Sequence, residues 1–161
     1  MINKRGRPYG GLAWIVNDKY KIVNSNFYNK HISSIQIETT NAEILLLIGV
    51  WLPYDDGHVE TELEYTSCLA FIEGLVQNNS NIPVVICGDF NADLFREKKF
   101  DNLLVEFLEQ NDYEVANFHN ERYDYTYSNG TYLSTIDYFI HPNQDLLNLS
   151  DFIVVLDPLD C

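Results

Sequence analysis

The chain has 161 residues, which is the size of one domain with a substantial hydrophobic core. Ten Lys and Arg residues against 24 Asp and Glu residues give a formal net charge of −14, which opposes nonspecific binding to nucleic acids and other polyanions. We find no stretch of 18 or more apolar residues and no basic-then-apolar leader, so the sequence predicts neither a membrane span nor a secretory signal. The cysteines at positions 68, 87 and 161 lack metal-site spacing, and two of them lie within apolar patterns, which indicates small core residues in a reducing compartment.

The first half of the chain begins with segments that are typical of strands. Residues 11–16 form an apolar run that predicts a buried strand, and residues 20–40 alternate apolar and polar side chains, which predicts one or two more. Residues 44–52 are too apolar for a sheet edge, so we expect a central strand that ends at Pro53.

The period then changes to that of a helix. Apolar residues at helical spacing predict an amphipathic helix over residues 60–77 and a second helix around residues 100–108. Between them, residues 82–87 predict a buried strand. Short strands are expected at residues 113–116, 123–128, 132–141 and 152–156, with a hairpin at Asn129-Gly130. Paired strands interrupted by two helices predict sheets packed together with helices outside; regular βαβ alternation is missing, which disfavours a doubly wound fold.

Polar residues follow the predicted strand at 82–87. The sequence Gly-Asp-Phe-Asn-Ala-Asp at 88–93 sets Asp89, Asn91 and Asp93 beside one another in a loop opened by glycine. Loops at the ends of a rigid sheet are where catalytic side chains are commonly presented. The structural alternative is a turn held by Asx hydrogen bonds, and for Asp93 we favour that turn chemistry over a role as a ligand.

Asp137 is the second unusual acid, because it interrupts the otherwise apolar strand at 132–141. Its side chain should point away from the face shared by Ile136 and Tyr138, and a buried carboxylate needs a partner, a cation or water. A purely structural hydrogen-bond acceptor is the alternative. Carboxylates and an amide at strand ends match the needs of phosphodiester hydrolysis, in which a divalent cation polarises the phosphoryl group and a base activates water.

Two basic clusters are the candidates for local contact with an anionic substrate. The first comprises Lys4, Arg5 and Arg7, and the second comprises Arg96, Lys98 and Lys99 just after the acidic loop. For both clusters we favour solvated surface charge over a binding role.

The two acidic motifs together resemble the endonuclease/exonuclease/phosphatase superfamily, which includes AP endonucleases and deoxyribonuclease I. The motifs are Gly-Asp-Phe-Asn-Ala-Asp at 88–93 and Ser-Thr-Ile-Asp-Tyr at 134–138. Stretches at 7–13, 50–53 and 124–128 agree with the family in order, so the resemblance spans nearly the whole chain. The sequences of these motifs are most similar to those of the endonuclease domain of LINE-type (non-LTR) retrotransposon polyproteins.

The resemblance implies roles for six residues. Asp89 would orient or deprotonate the attacking water, Asn91 would donate to the scissile phosphate, and both would lie at a Mg²⁺ site, with Mn²⁺ as an alternative ion. Asp137 would orient the family's catalytic His. The remaining three residues would line the substrate groove, which holds DNA in this family; they are Trp51, Thr126 and Tyr127.

Departures from the family pattern predict a weak or inactive enzyme. The family's metal-binding Glu precedes the Gly-Gly strand, its catalytic His comes from a terminal Ser-Asp-His, and neither has a counterpart here; His141 is a poor substitute because Pro142 follows it. Trp51 stands where the family has a Tyr. Loss of a general base costs about 10²- to 10⁴-fold in rate, and Mg²⁺ should bind weakly.

The resemblance implies an α/β (α+β) fold of two packed mixed sheets flanked by helices, the four-layer sandwich of deoxyribonuclease I. We expect residues 1–161 to be a single domain of this kind, incomplete at both ends, that is intracellular, either nuclear or cytoplasmic, and able to self-associate through exposed sheet edges. Two alternatives stay open: a phosphatase of the same superfamily that acts on inositol phosphates or lipids, and a noncatalytic acidic binding module.

Overall fold

The computed structural model describes residues 11–116 and 125–143. Ten elements follow one another there, given in chain order: β1 (Lys21–Phe27), β2 (Ile32–Glu38), β3 (Ile44–Trp51), α1 (Val59–Asn78), β4 (Val84–Asp89), α2 (Lys99–Asn111), β5 (Tyr113–Val115), β6 (Tyr127–Ser128), β7 (Leu133–Ser134) and β8 (Asp137–Pro142). The predicted central strand and both predicted helices are therefore confirmed, and the one or two strands expected over residues 20–40 are two, β1 and β2.

Six of these strands form one mixed sheet in the order β1-β2-β3-β4-β8-β5. Strands β3 and β4 run parallel, while the other neighbours are antiparallel. Helix α1 is the crossover between β3 and β4, as a parallel connection requires. Because β4 lies between β3 and β8, the ends of these three strands meet near the middle of the sheet.

The hydrophobic core lies between the two helices and one face of the sheet. Helix α1 contributes Tyr65 and Ile72, helix α2 contributes Phe100 and Leu104, and all four side chains are at most 1% exposed. The sheet contributes alternate residues of its central strands, namely Leu46, Ile48, Val50, Val84, Ile86, Tyr138 and Ile140. The intervening residues of β3, β4 and β8 therefore face away from the helices.

Trp14 packs on the sheet face that lies away from the helices. Its indole Nε1 donates to the Ser33 hydroxyl at 3.0 Å, and its ring fills the space where a side chain at Gly49 would lie. The predicted buried strand at residues 11–16 is nevertheless wrong: the segment forms no strand, and Ile15 is 99% exposed. The backbone of the segment has no strand partner among the described residues.

The chain around the predicted hairpin has shorter strands than expected. Strands β6 and β7 do form a hairpin around Gly130, which has a φ of +82°. The single strand predicted over residues 132–141 instead splits into β7 and β8, since the Ile136 and Asp137 amides donate to the Thr126 hydroxyl rather than to a strand. Likewise, the strand predicted over 123–128 is confined to β6 within the described range.

These elements confirm a mixed α/β fold with a six-stranded sheet, a two-stranded sheet and helices. Several sequence predictions lie outside the described residues: the strand at 152–156, the first basic cluster and Cys161. Neither helix in the described ranges is long and apolar enough to cross a membrane.

Candidate active site

The ends of the three central strands bring Trp51, Asp89 and Asp137 into one row across the sheet. Trp51 is in register with Asp89, and Asp89 is in register with Asp137. Residues in register lie on the same face, here the face away from the helices. Two acids that are distant along the chain therefore lie side by side, and Asp89 is the last residue of β4 rather than part of the following loop.

The hydrogen-bond pattern of β4 and β8 shows how close the two acids lie. The Phe90 amide donates to the Ile136 carbonyl at 2.8 Å, which makes the next pair, Asp89 and Asp137, a non-hydrogen-bonded pair. Side chains of such antiparallel pairs approach closely, because their Cα atoms are only about 4.5 Å apart. Two carboxylates thus face one another at the end of the sheet.

Gly88 permits this close packing of strands. Its φ is +133°, and a Cβ atom built on it would lie 2.1 Å from the Val50 carbonyl oxygen of β3. Any side chain there would collide with the neighbouring strand, and L-residues rarely adopt this conformation. The glycine that opens the motif therefore holds Asp89 against β3, and the Leu52 amide donates to the Asp89 carbonyl at 2.8 Å.

Asp89 is poised to accept a proton near neutral pH. Burial raises the pKa of Asp89 from 3.8 to about 6, and the charge of Asp137 adds to this rise. The backbone amide of Asn91 donates to Asp89 Oδ1 at 2.8 Å and opposes the rise. A carboxylate with this pKa is mostly ionised at pH 7 but more basic than an ordinary aspartate, which suits a general base.

Asn91 is fixed beside Asp89 in a conformation that its side chain tolerates. Its φ of 50° is left-handed, which asparagine adopts more readily than most residues. Its side-chain amide nitrogen, Nδ2, donates to the Leu52 carbonyl at 2.8 Å. Since the carbonyl can only accept, the orientation of the amide is determined, and the second amide hydrogen remains to be donated to a ligand.

Thr126 is the partner that the buried Asp137 was expected to require. Burial raises the pKa of Asp137, and the hydroxyl of Thr126 opposes this by hydrogen bonding to the carboxylate. The same hydroxyl accepts the Ile136 amide at 3.0 Å and the Asp137 amide at 3.1 Å. Thr126 therefore supports Asp137; a role in binding substrate stays a prediction.

Trp51 and Tyr127 are the other two residues predicted to bind substrate. The Trp51 backbone is held by His31, whose Nδ1 lies 2.5 Å from the Trp51 carbonyl oxygen and whose own carbonyl accepts the Trp51 amide at 2.9 Å. Tyr127 lies on β6 and is 46% exposed. The structure thus brings Trp51 to the row of acids and leaves Tyr127 on the adjacent hairpin.

The loop after Asn91 is fixed by a hydrogen-bond network, in which Asp93 makes the Asx turn predicted from the sequence. Asp93 is buried, and its carboxylate accepts the Phe95 amide at 3.0 Å and the Thr135 amide at 3.1 Å. Its own amide donates at 2.8 Å to Asp101, which lies in the first turn of α2. The only signal for Asp101 was an acid three residues after the helix N-cap, the position from which a side chain reaches back to the N-cap amide.

Arg96 is an exposed residue, as expected for surface charge, and it also belongs to this network. Its guanidinium donates to both carboxylate oxygens of Asp101, at 2.8 and 3.0 Å. In the same cluster, Lys99 forms an ion pair with Glu62. The positive charge next to the acidic loop is therefore partly neutralised within the protein, and the negative character of the chain extends to this region.

The donors at the strand ends fit part of a Mg²⁺ site. Asp89 and Asn91 offer oxygens, and the mutual repulsion of Asp89 and Asp137 is a charge that a cation would offset. Within residues 11–116 and 125–143 no group of three or more His, Cys, Asp or Glu residues is placed to hold a metal ion. Mg²⁺ commonly keeps several waters and uses only one or two carboxylates, which is consistent with an open arrangement.

The sequence profile of the Endonuclease/Exonuclease/phosphatase family matches residues 4–155. This chain belongs to that family. The resemblance predicted from the motifs is thereby confirmed, and the superfamily generally depends on divalent metal ions. The comparison with curated proteins gives no match.

Solved structures share the fold at low sequence identity. The endonuclease domain of TRAS1, a telomere-specific non-LTR retrotransposon, has a TM-score of 0.54 and 18% identity, with 74% of this chain and 56% of that chain covered. The catalytic domain of human Nocturnin gives 0.53 and 17%, with 80% and 50% covered. A mannosyl-6-phosphatase from Bacteroides thetaiotaomicron gives 0.55 and 13%, with 78% and 54% covered. This chain therefore spans about half the length of these structures, and its fold is that of deoxyribonuclease I-like proteins.

Proposed function

We propose that this chain is a metal-dependent phosphodiester hydrolase domain of the retroelement endonuclease type, with DNA as substrate. The observation that carries the proposal is the pairing of Asp89 with Asp137, with Asn91 hydrogen-bonded to Asp89, at the ends of the central strands. The sequences of the two acidic motifs and the similarity to the TRAS1 domain favour a nuclease over a phosphatase of the same superfamily. Residues 1–161 would form one domain of this kind.

In this proposal each residue has a stated task. Asp89, paired with Asp137 at the end of β4, would accept a proton from the attacking water. Asn91 donates its second amide hydrogen to a phosphate oxygen, since its first is held by Leu52. Asp137, supported by Thr126, supplies the negative charge that keeps Asp89 basic. A Mg²⁺ ion bound by Asp89 and Asn91 would polarise the phosphoryl oxygens and stabilise the leaving group.

The net charge of −14 opposes contact with DNA, so that contact would depend on local basic groups or on a bound divalent cation. The hairpin offers aromatic rather than basic contacts, since Tyr127 is 46% exposed and Tyr132 is 69% exposed. Aromatic side chains stack on bases without adding charge. Binding to DNA should therefore be weak in the absence of divalent ions.

A nicking assay tests the proposal. Supercoiled plasmid is incubated with Mg²⁺ and either the chain itself or a version extended with the family's upstream Glu segment and a terminal Ser-Asp-His. We expect little nicking by the chain itself, nicking by the extended form, and loss of that nicking in Asp89→Ala. The matched control is Asp18→Asn, which changes an exposed acid and should nick normally.

A phosphatase acting on small phosphate esters is the second candidate. The similarity to the mannosyl-6-phosphatase and the acidic surface favour it. Release of phosphate from inositol or sugar phosphates, without nicking, would replace the nuclease proposal by this one. Absence of both activities in both forms would refute hydrolysis and leave a noncatalytic binding module.

A further inference from the structure

Asp101 is the most completely hydrogen-bonded acid near the candidate site, yet it touches none of the site residues. It is 1% exposed, and its two oxygens accept four hydrogen bonds, two of them from the Arg96 guanidinium and one each from the Asp93 and Lys98 amides. Burial alone would raise the pKa of Asp101, but the bonds from Arg96, Asp93 and Lys98 outweigh it, so the pKa is lowered. Asp101 is therefore a fixed anion that anchors the loop before α2.

That loop is in turn tied to the chain that leads into β8. The Asp93 carboxylate accepts the Thr135 amide at 3.1 Å, and the third guanidinium nitrogen of Arg96, Nη1, lies 3.4 Å from the Ser134 hydroxyl. The Tyr138 hydroxyl accepts the Leu94 amide at 3.2 Å. Three links thus join residues 93–96 to residues 134–138.

The linked residues lie close in sequence to the residues of the candidate site. Asp93 follows Asn91 by two residues, and Thr135 precedes Asp137 by two residues. A shift of residues 93–96 would therefore move Asn91 and Asp137 relative to one another. Catalytic geometry is sensitive to displacements of about 1 Å.

We propose that Asp101 is a positioning residue, which through Arg96 and Asp93 sets the placement of Asn91 relative to Asp137. This proposal rests on the proposed function for its purpose, but the placement itself is open to measurement without any activity. A carboxylate is required, because an amide offers only one accepting oxygen and cannot take both the Arg96 fork and the two backbone amides.

Native-state hydrogen exchange of Asp101→Asn tests the proposal. The probes are the Asn91 amide, bonded to Asp89, and the Asp137 amide, bonded to Thr126. The reference is the Ile48 amide in the centre of the sheet, which exchanges only when a large part of the molecule opens. We expect protection of the two probes to fall by about tenfold or more beyond any fall at the reference, since charge-assisted hydrogen bonds are lost.

A purely stabilising role gives a different pattern. If protection of the probes and of the Ile48 amide falls in parallel, Asp101 supports only the fold and the proposal is overturned. The matched control is Glu106→Gln, an exposed acid on the same helix, which should leave all three amides unchanged.

A second variant covers the case in which Asp101→Asn does not fold. Arg96→Lys keeps the positive charge but loses the two parallel donors of the guanidinium. It should therefore lower the protection of the Asn91 and Asp137 amides as well, but by less than Asp101→Asn does. Unchanged protection of the Asn91 and Asp137 amides in Arg96→Lys would also overturn the proposal. In the nicking assay, the variant that folds should lower kcat more than it raises KM. If the extended form does not nick DNA but the exchange pattern is as expected, the nuclease function alone is refuted.

Discussion

Replacing Asp89 by asparagine should stabilise the fold at neutral pH. The folded protein holds this carboxylate at a pKa of about 6, whereas the ordinary value is 3.8, because burial and the nearby Asp137 disfavour the charged form. The asparagine amide has nearly the same shape and keeps an oxygen for the Asn91 amide, but it carries no charge. The substitution therefore removes the cost of a buried negative charge and keeps the hydrogen bond.

The size of the effect follows from the two pKa values. They differ by about two, and each whole pKa step corresponds to about 1.4 kcal/mol, which gives an upper value of about 3 kcal/mol. The Asp89 side chain keeps some contact with water, so we expect about 2 kcal/mol, or roughly 4–8 °C in Tm for a chain of this length. Because the folded pKa is raised, the carboxyl group contributes its stability below pH 4 and loses it as the pH rises through about 6.

Urea unfolding of both proteins, in buffer with EDTA at pH 4 and at pH 7.5, measures this difference. We expect Asp89→Asn to exceed the parent in free energy of unfolding at pH 7.5, with most of the advantage gone at pH 4. Asp18→Asn, an exposed acid, should show no such pH dependence. An advantage of equal size at both pH values, or a loss of stability at pH 7.5, would refute the reasoning that Asp89 is a buried, destabilised anion.

Three further predictions concern the same strand ends. Gly88→Ala should lower the free energy of unfolding by about 3 kcal/mol, since its Cβ would lie 2.1 Å from a carbonyl oxygen of β3; unchanged urea unfolding would contradict this. Thr126→Val should raise the pKa of Asp137 further, as followed by carboxyl ¹³C NMR, whereas Thr131→Val in the exposed turn should leave it unaltered. Millimolar Mg²⁺ should raise the Tm of the parent at pH 7.5 but not that of Asp89→Asn, and an equal rise in both would exclude Asp89 as a ligand.

The sequence predicted the sheet and helices well where the hydrophobic pattern was strong. Strand β3 and helices α1 and α2 lie close to their predicted bounds, because each buries an apolar face whose period is clear in the sequence. The segment 11–16 has an equally apolar pattern but forms no strand, since a strand also needs a hydrogen-bonded partner, which composition does not report.

The sequence singled out the two acids of the candidate site but not the contacts that hold them in place. Asp89 and Asp137 stood out because a carboxylate in an apolar strand is costly and calls for a reason. The contacts of Thr126 with Asp137 and of Asp101 with Arg96 depend on how the chain folds back on itself, 11 residues apart in the first case. Short hydroxyl and acidic side chains at such positions look like ordinary surface residues in a sequence.

The most direct test of the proposed site is a double-mutant nicking experiment in the extended form of the chain with Mg²⁺. If Asp89 and Asp137 act as one unit, Asp89→Asn and Asp137→Asn should each reduce the nicking rate by about 10² or more, and the double variant should be little slower than Asp89→Asn alone. A normal nicking rate in either single variant, or losses that simply multiply in the double variant, would contradict a shared catalytic site.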